Sequence, residues 1–200
     1  MTEHYYTEKQ TSAFNPKKIA VKVSGDELEF YTAGGVFSPK KLDAGTKLLT
    51  ESAVVEEGWK VLDLGCGYGV VGILLKKINQ SLEVVMSDVN TRSLDLTRMN
   101  AKLHKVDVEI IHSDSFSDAE LDKKMFDTIL FNPPQTAGKA VCFKMIEESK
   151  THLVKGGLLQ IVARHQKGGK HLSQKMEEVF GNVKDTAKKS GYRVYVSVKG

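Results

Sequence analysis

The stretch from Lys60 to Asp88 decides the fold: Lys60-Val61-Leu62-Asp63-Leu64 runs into Gly65-Cys66-Gly67-Tyr68-Gly69, then an apolar helical stretch, then Leu82-Glu83-Val84-Val85-Met86-Ser87-Asp88. The two outer segments are apolar runs typical of buried strands, and between them the apolar positions recur at helical spacing. Alternating glycines let the backbone approach a ligand, because a side chain there would fill the ligand's space or forbid the positive φ angles of the turn. The sequence therefore predicts a strand, a tight turn and a helix N-terminus that bind a nucleotide.

Charge and spacing in this loop separate two classes of cofactor. A dinucleotide fingerprint has glycines at relative positions one, three and six, whereas the sixth position here is Val70. Asp63 lies two residues before the first glycine, where its charge would oppose a pyrophosphate but suit an ammonium group. S-adenosylmethionine supplies that ammonium, and it also supplies a ribose diol for Asp88. The pattern favours S-adenosylmethionine over NAD, and over a glycine-rich turn that binds no nucleotide.

The residues from Val61 to Gly69 resemble motif I of the class I S-adenosylmethionine-dependent methyltransferases, and Asp88 resembles the acidic residue of their motif II. A third strand is predicted over 106–111, and the following His112-Ser113-Asp114-Ser115-Phe116 is similar to motif III. The resemblance implies that Asp114 and the Ser115 N–H bind the adenine, although Asp114 could equally be a surface turn residue. The cofactor-binding residues implied in this way are Thr46, Asp63, Gly65, Cys66, Gly67, Tyr68, Gly69, Asp88, Val89, Asn90, Asp114, Ser115 and Asn132.

A second motif points to the reaction. Phe126 to Phe131 is typical of a buried strand, and Asn132-Pro133-Pro134-Gln135 at its end resembles motif IV of enzymes that methylate amino or amide nitrogens. A conjugated amine is a poor nucleophile, so the site must accept its hydrogens and aim its lone pair. The Asn132 side-chain carbonyl and the Pro133 backbone carbonyl can do this, while Pro133 and Pro134 fix φ near −65°. We therefore predict Asn132, Pro133 and Pro134 as catalytic through orientation, which is worth roughly 7–11 kcal/mol at best. The alternative is a strand-ending turn.

The flanking segments narrow the resemblance further. Gly35 to Leu49 is similar to the segment before motif I in ribosomal-RNA methyltransferases that modify the exocyclic amine of a guanine, and by analogy Thr46 helps to close over the cofactor. Phe180-Gly181 and Tyr192 to Tyr195 are similar to the ending of that group. Gln135 stands where the group has a phenylalanine that stacks on the target base, a contact worth ~1–3 kcal/mol per base. Another aromatic residue could compensate, with Tyr31, Phe37 and Phe143 as candidates, or the substrate is not a flipped purine.

Length and composition predict one α/β domain. The 200 residues are 40% hydrophobic, enough for a sizeable core. We divide the chain into an N-terminal extension (1–25), a segment before motif I (26–58) and a cofactor-binding and catalytic core (59–200). Beyond the stretches above, helices are predicted from Asn90 and over 140–153 and 170–180, with a strand over 158–163 and a strand pair over 183–198. With the resemblance, this order implies a doubly wound, mostly parallel, seven-stranded Rossmann-like sheet with an antiparallel C-terminal strand.

Several classes of protein are disfavoured by composition. Two cysteines are too few for a disulfide framework, and the six histidines have no metal-ligand spacing, so we expect no metal. Cys66 is better interpreted as a small residue in a close-packed loop. The sequence has no apolar run long enough for a bilayer and no signal-peptide core at its polar start, and we expect a cytoplasmic protein that does not contact membranes.

The charge distribution is compatible with RNA as the substrate. The formal charge is +4 and the pI about 8.9. Lys139 follows the Asn-Pro-Pro segment, and Arg164 and Lys167 follow the next strand, so these side chains and Gln135 are our candidates for substrate binding at the active-site edge of the sheet. The alternative is an ordinary solvated basic loop.

The hypothesis with most support is an S-adenosylmethionine-dependent methyltransferase, active as a monomer or homodimer, that methylates an exocyclic amino group of guanine in ribosomal RNA. The alternatives are methylation of a glutamine amide in a protein, because an amide presents the same two hydrogens, and methylation of adenine in DNA. A non-enzymatic alternative is a module that binds the cofactor without catalysis.

Overall fold

The computed structural model describes residues 5–134 and 137–200, and within these ranges nine strands alternate with six α-helices. The strands are β1 (Lys17–Val23), β2 (Asp26–Thr32), β3 (Lys60–Leu64), β4 (Glu83–Asp88), β5 (Glu109–His112), β6 (Phe126–Phe131), β7 (Leu153–Arg164), β8 (Lys184–Lys189) and β9 (Tyr192–Val198). The helices are α1 (Ala44–Ser52), α2 (Val70–Ile78), α3 (Thr91–His104), α4 (Ala119–Asp122), α5 (Lys139–Thr151) and α6 (Lys170–Phe180).

Seven strands form the central sheet in the order β5-β4-β3-β6-β7-β9-β8. The pairs from β5 to β7 are parallel, and β9 runs antiparallel to both of its neighbours, β7 and β8. This confirms the predicted mostly parallel, seven-stranded α/β sheet with an antiparallel C-terminal strand. After β3 the chain builds outward through β4 and β5 and then returns to the other side of β3 as β6. Ligands bind outside the carboxyl ends of the strands at such a reversal, so the loops after β3 and β6 meet where a site is expected.

The central strands carry continuous apolar runs because helices cover both faces of the sheet, so that neither face is exposed to solvent. Because successive side chains of a strand point to opposite faces, Val61 and Leu62 enter different halves of the core. Val61 belongs to the core cluster that includes residues of α1, α2 and α3, whereas Leu62 belongs to the cluster with residues of α5 and α6 such as Ile146 and Met176. In the described part of the chain, no helix has the length and apolarity needed to cross a membrane.

The hairpin formed by β1 and β2 was missing from the sequence prediction. The strands pair from Lys17 with Thr32 to Val23 with Asp26, and Gly25 turns the chain with a φ of +92°. Val21, Val23 and Phe30 are buried while their neighbours are exposed or half-buried, which is the alternation of a half-buried hairpin. The boundary that we placed between residues 25 and 26 falls at the turn of this hairpin.

Other differences concern the ends of elements. The strand predicted from residue 106 begins at Glu109, because Lys105 takes a left-handed conformation and the Val106 N–H donates to the Ala101 carbonyl. This C-terminal motif of α3 occupies the residues where the strand was expected to start. The strand predicted over 158–163 extends in both directions, with an irregular register near its start, where Gly156 has a φ of +80°.

Candidate active site

A cavity of about 330 Å³ lies at the carboxyl ends of β3, β4, β5 and β6, a size that suits a small molecule. The structure brings the predicted catalytic residues Asn132, Pro133 and Pro134 to its wall. All of the predicted cofactor residues also line it, with the exception of Gly69 and Asn90. The loops carrying motifs I to IV therefore converge on one site.

The motif I loop presents bare backbone to the cavity. Gly65 and Gly67 have φ values of +69° and +58°, and an added Cβ at either would meet no heavy atom within 4 Å. Helix α3 fastens the loop from behind, because Thr97 Oγ1 donates to the Gly67 carbonyl at 2.9 Å and Asn100 Nδ2 donates to the Tyr68 carbonyl at 2.8 Å. The open space in front of the glycines is therefore held in shape for a ligand.

Gly69 and Cys66 are packing residues in this loop. Gly69 begins α2 with a φ of +92°, and a Cβ there would lie 2.9 Å from Ile73 Cδ1 and 3.0 Å from Thr97 Cγ2. Gly69 does not line the cavity and allows the helix N-terminus to pack closely against the sheet and α3, and its contact with the cofactor stays a prediction. Cys66 lines the cavity, but burial raises the pKa of its thiol, which keeps it protonated, as expected of a small packing residue.

Two carboxylates line the cavity, Asp63 buried and Asp88 half-buried. Asp63 is only 4% exposed and accepts from the Gly72 N–H at 2.9 Å, and burial raises its pKa to about 7. Asp88 accepts from the Gly67 N–H and the Asn90 N–H, each at 2.8 Å, and burial raises its pKa to about 6. Carboxylate oxygens have further lone pairs. A cation beside Asp63 and a diol beside Asp88 would offset the desolvation, so these residues fit S-adenosylmethionine.

The loop after β5 adds Asp114 and Ser115 to the wall. Ser115 has a φ of +56°, unusual for a residue other than glycine, and this conformation is held by Ser113 Oγ, which donates to the Ser115 carbonyl at 2.8 Å. Ser115 Oγ in turn donates to Glu148 at 2.6 Å. The Asp114 side chain remains exposed at the rim of the cavity.

The amide of Asn132 belongs to a network that includes a residue absent from the sequence prediction, Asp43. Asn132 Nδ2 donates to Thr46 Oγ1 at 2.9 Å and to Asp43 Oδ2 at 3.3 Å. Asp43 is the N-cap of α1 and lines the cavity, and its Oδ1 accepts from the Tyr192 hydroxyl at 3.1 Å. An aspartate before Ala44-Gly45-Thr46 is a helix-start signal, but nothing local indicates its contact with Asn132.

Aromatic rings form another part of the wall. Phe37, one of the three candidates, lines the cavity, whereas Tyr31 and Phe143 do not. Tyr5 and Tyr6 join it, with ring centroids 5.3 Å apart, and Tyr5 lies 5.2 Å from Phe37. The tyrosine pair stands out in the polar start of the chain, and the sequence prediction passed over it.

Asn90 supports this wall from outside the cavity. Its Nδ2 donates to the carbonyls of Tyr5 and Gly35, each at 2.9 Å, and its Oδ1 caps α3 by accepting from the Arg92 N–H at 3.0 Å. One side chain thus fixes the N-terminal segment and the segment before α1 to the end of β4. Asn90 does not line the cavity, and its contact with the cofactor stays a prediction.

The predicted substrate-binding cations lie outside the cavity. The Arg164 guanidinium stacks 4.9 Å from the centre of the Tyr192 ring, and Lys139 Nζ lies 3.4 Å from His171 Nε2. Lys167 is exposed in the turn after β7. Gln135 falls outside the described residues. Among the described residues, no group of three or more His, Cys, Asp or Glu side chains could hold a metal ion.

Comparison with known proteins agrees with this geometry. Residues 27–196 match the family model of the methyltransferase small domain. The chain is 36% identical to the uncharacterized protein YbxB of Bacillus subtilis over the full length of both. It is 36% identical over 178 residues to ribosomal RNA small subunit methyltransferase C of Haemophilus influenzae strain 86-028NP, covering 86% of this chain and 52% of the relative.

A solved structure extends the comparison to the fold. The T. thermophilus 16S rRNA N2 methyltransferase RsmC, in complex with AdoMet and guanosine, superposes on 96% of this chain and 52% of its own with a TM-score of 0.78 and 25% identity. The chain thus spans about half the length of the ribosomal RNA methyltransferases that it matches. It belongs to the methyltransferase small domain family and is a class I S-adenosylmethionine-dependent methyltransferase.

Proposed function

We propose that the enzyme methylates the exocyclic amino group of a guanine in ribosomal RNA. The observation that carries this proposal is the Asn132-Pro133-Pro134 segment at the wall of the cavity that also holds Asp63 and Asp88. An acceptor of amine hydrogens thus shares one space with carboxylates suited to the donor. Relatives named as ribosomal RNA methyltransferases and a structural neighbour solved with guanosine support the choice of guanine.

On the donor side, S-adenosylmethionine supplies an electrophilic methyl group on a sulfonium sulfur and leaves as S-adenosylhomocysteine. Asp63 would pair with its ammonium group and Asp88 would accept from its ribose diol. The bare backbone of Gly65 and Gly67 lets the ligand approach, and the loop containing Asp114 and Ser115 would bind the adenine. Tyr5, Tyr6 and Phe37 would exclude water from the same space.

On the acceptor side, the Asn132 carbonyl oxygen and the Pro133 carbonyl would accept the two hydrogens of the target amine. This makes the nitrogen pyramidal and aims its lone pair at the methyl carbon. The lone pair forms the new N–C bond, the electrons of the broken S–C bond stay on sulfur, and the nitrogen releases one proton to water. Positioning carries this reaction, and no general base is assigned.

Arg164, Lys167 and Lys139 would track the RNA backbone outside the cavity. Arg164 is exposed and lies against Tyr192, whose hydroxyl donates to Asp43, so this cation is linked to the catalytic network. The guanidinium and ammonium groups would contribute salt-dependent affinity without base specificity. Action on ribosomal RNA would place the enzyme in the cytoplasm.

The test is methyl transfer with three acceptors taken from cells that lack the gene: small ribosomal subunits, deproteinised ribosomal RNA, and total protein. Methyl-labelled S-adenosylmethionine is added with purified enzyme, and the product is digested and identified by mass. N2-methylguanosine in RNA is expected. Label in methylglutamine, or in RNA as another nucleoside, would overturn the assignment of guanine.

Asn132→Ala tests the role of the amide itself. Turnover should fall by about two to three orders of magnitude, as for other losses of preset acceptors or donors, while the dissociation constant for S-adenosylhomocysteine stays within about twofold. A variant with normal turnover would show that Asn132 is only the end of a strand.

A further inference from the structure

We infer that Asp43 is a positioning residue that fixes the orientation of the Asn132 amide. Its carboxylate holds the NH2 group of Asn132 away from the substrate, so that the amide oxygen faces the amine to be methylated. This inference rests on the proposed role of Asn132. It gives a role in catalysis to the N-cap residue of α1, which lies 89 positions before Asn132 in the chain.

An asparagine amide has two ends of similar shape and opposite hydrogen-bonding character, and a half-turn about its last bond exchanges them. A catalytic asparagine that must present its oxygen to the substrate therefore needs a neighbouring group that binds only the NH2 end of the amide. Thr46 Oγ1, at 2.9 Å from Asn132 Nδ2, cannot do so alone, because a hydroxyl both donates and accepts. An ionised carboxylate can accept hydrogen bonds but cannot donate them. Asp43 Oδ2 lies 3.3 Å from Asn132 Nδ2, and it would repel the amide oxygen if the amide were reversed. The NH2 group must therefore point towards α1.

The position of the Asp43 carboxylate is itself fixed from two sides. Its Oδ2 accepts from the Thr46 N–H at 2.9 Å as the cap of α1, and its Oδ1 accepts from the Tyr192 hydroxyl of β9 at 3.1 Å. Gly45 leaves the room for this, since a Cβ there would lie 2.7 Å from the Tyr192 ring and 2.9 Å from Asp43 Oδ2. A carboxylate that is held by both α1 and β9 can fix the orientation of the Asn132 amide, which follows β6.

The consequence for catalysis is specific. With the amide reversed, its NH2 group would face the hydrogens of the target amine, and one of the two acceptors would be lost. The donor would still bind, because Asp63, Asp88 and the motif I loop are unchanged. The inference thus predicts slower turnover at unchanged donor affinity.

Asp43→Asn is the informative substitution. Asparagine caps helices as well as aspartate does, so α1 should keep its start. The oxygen that caps α1 is also the one that faces Asn132 Nδ2, so the new amide keeps an acceptor there but loses the negative charge. The NH2 group of Asn132 is then attracted less and the reversed amide is repelled less, so the preference for one orientation is weakened. We expect kcat on small ribosomal subunits from cells lacking the gene to fall about 10- to 100-fold, the cost of a misplaced group. The dissociation constant for S-adenosylhomocysteine should change less than about twofold.

The matched control is Asp118→Asn. Asp118 is also a half-buried aspartate at a helix N-cap, and it accepts from the Glu120 N–H at 2.8 Å and the Leu121 N–H at 3.3 Å. It does not line the cavity. This variant should keep kcat within about twofold, and an equal loss in both variants would assign the effect of Asp43→Asn to helix capping and overturn the inference.

A spectroscopic readout needs no acceptor substrate. In ¹H–¹⁵N spectra, the side-chain NH2 pair of Asn132 is identified as the one missing from Asn132→Asp. The wild type should show one set of resonances, and Asp43→Asn should show two sets or broadened signals because both orientations are populated. A single unshifted set in Asp43→Asn would overturn the inference.

The outcomes separate the inference from the function beneath it. Normal turnover in Asn132→Ala would refute the proposed role of Asn132, and the inference with it. Lost turnover in Asn132→Ala with normal turnover in Asp43→Asn would refute the inference alone. Should Asp43→Asn fail to fold, Tyr192→Phe removes only the hydroxyl that holds Oδ1: lower kcat at constant donor affinity supports the inference, and unchanged kcat overturns it.

Discussion

The buried carboxyl of Asp63 should make donor binding dependent on pH near neutrality. Burial raises its pKa to about 7, and the proposed pairing with the ammonium group of the donor requires the ionised form. With that pKa, about three quarters of the carboxyl is ionised at pH 7.5 and about 3% at pH 5.5. When the pH falls from 7.5 to 5.5, the association constant for S-adenosylhomocysteine should therefore fall about 25-fold, which corresponds to about 2 kcal/mol of binding free energy.

The stability of the unliganded protein should change in the opposite direction. Burial raises the pKa values of Asp63 and Asp88 above those of the unfolded chain. At a pH between the unfolded and the folded pKa values, the folded protein therefore binds more protons than the unfolded chain. Their contribution to the free energy of unfolding is fully present below about pH 4 and is lost as the pH rises through about 6 and 7. Raising the pH from 5.5 to 7.5 should thus lower the melting temperature of the empty protein while it strengthens donor binding.

Calorimetric titration with S-adenosylhomocysteine at several pH values measures the first effect, and differential scanning calorimetry the second. Asp63→Asn should bind S-adenosylhomocysteine at pH 7.5 about as weakly as the wild type does at pH 5.5. It should also lose most of the pH dependence of the binding constant and of the melting temperature. Asp127→Asn is the control, because Asp127 is also a strand aspartate that accepts one backbone N–H, from Lys60 at 2.7 Å, and does not line the cavity. An affinity independent of pH, or an Asp63→Asn variant that keeps the wild-type slope, would refute the pairing with the ammonium group.

Three further outcomes are expected. Gly69→Ala should lower the free energy of unfolding in urea by about 1–3 kcal/mol, because of its positive φ and the contact with Ile73. Gly67→Ala shares the positive φ but faces open space, so it should destabilise the protein less and should also weaken donor binding. Asn90→Ala should speed hydrogen exchange in residues 5–12 and weaken donor binding, since Tyr5 and Gly35 lose their anchor; unchanged exchange would contradict this. Arg164→Ala should reduce the slope of log K against log salt for ribosomal RNA by about 0.7–0.9, and an unaltered slope would exclude a phosphate contact.

The parts of the site that follow from local sequence were predictable. Gly65 and Gly67 take positive φ values and face open space, as the glycine alternation indicated, and the apolar runs give β3 and β6 on neighbouring positions of the sheet. Asn90 was expected to cap a helix and does so through the Arg92 N–H. In each case the residue type and its immediate neighbours determine the conformation.

The contacts that complete the site are long-range, and the sequence does not show them. Tyr5 meets Asn90 across 85 positions, and Asp43 meets Asn132 across 89. Each residue has an adequate local explanation, a cap for Asp43 and a surface position for Tyr5, so no local pattern reports the second role. Pairing between distant segments is decided by packing of the whole fold, which is also why the hairpin of β1 and β2 escaped prediction despite its alternating pattern.

The topology divides the work of the site between two halves of the sheet. The carboxyl ends of β3 and β4 and the loop after β5 hold Asp63, Asp88 and Ser115, and α3 fastens the loop after β3. The loop after β6 holds Asn132 and is held by α1 and, through Tyr192 and Asp43, by β9. The halves meet where β3 pairs with β6, so the proposed sites of the donor and of the target amine lie side by side at the ends of two buried strands. Because different helices support the two halves, residues of the first should govern donor affinity and residues of the second turnover. Substitutions at β7 and β9 that change the proposed RNA contacts near Arg164 should then leave donor affinity unchanged.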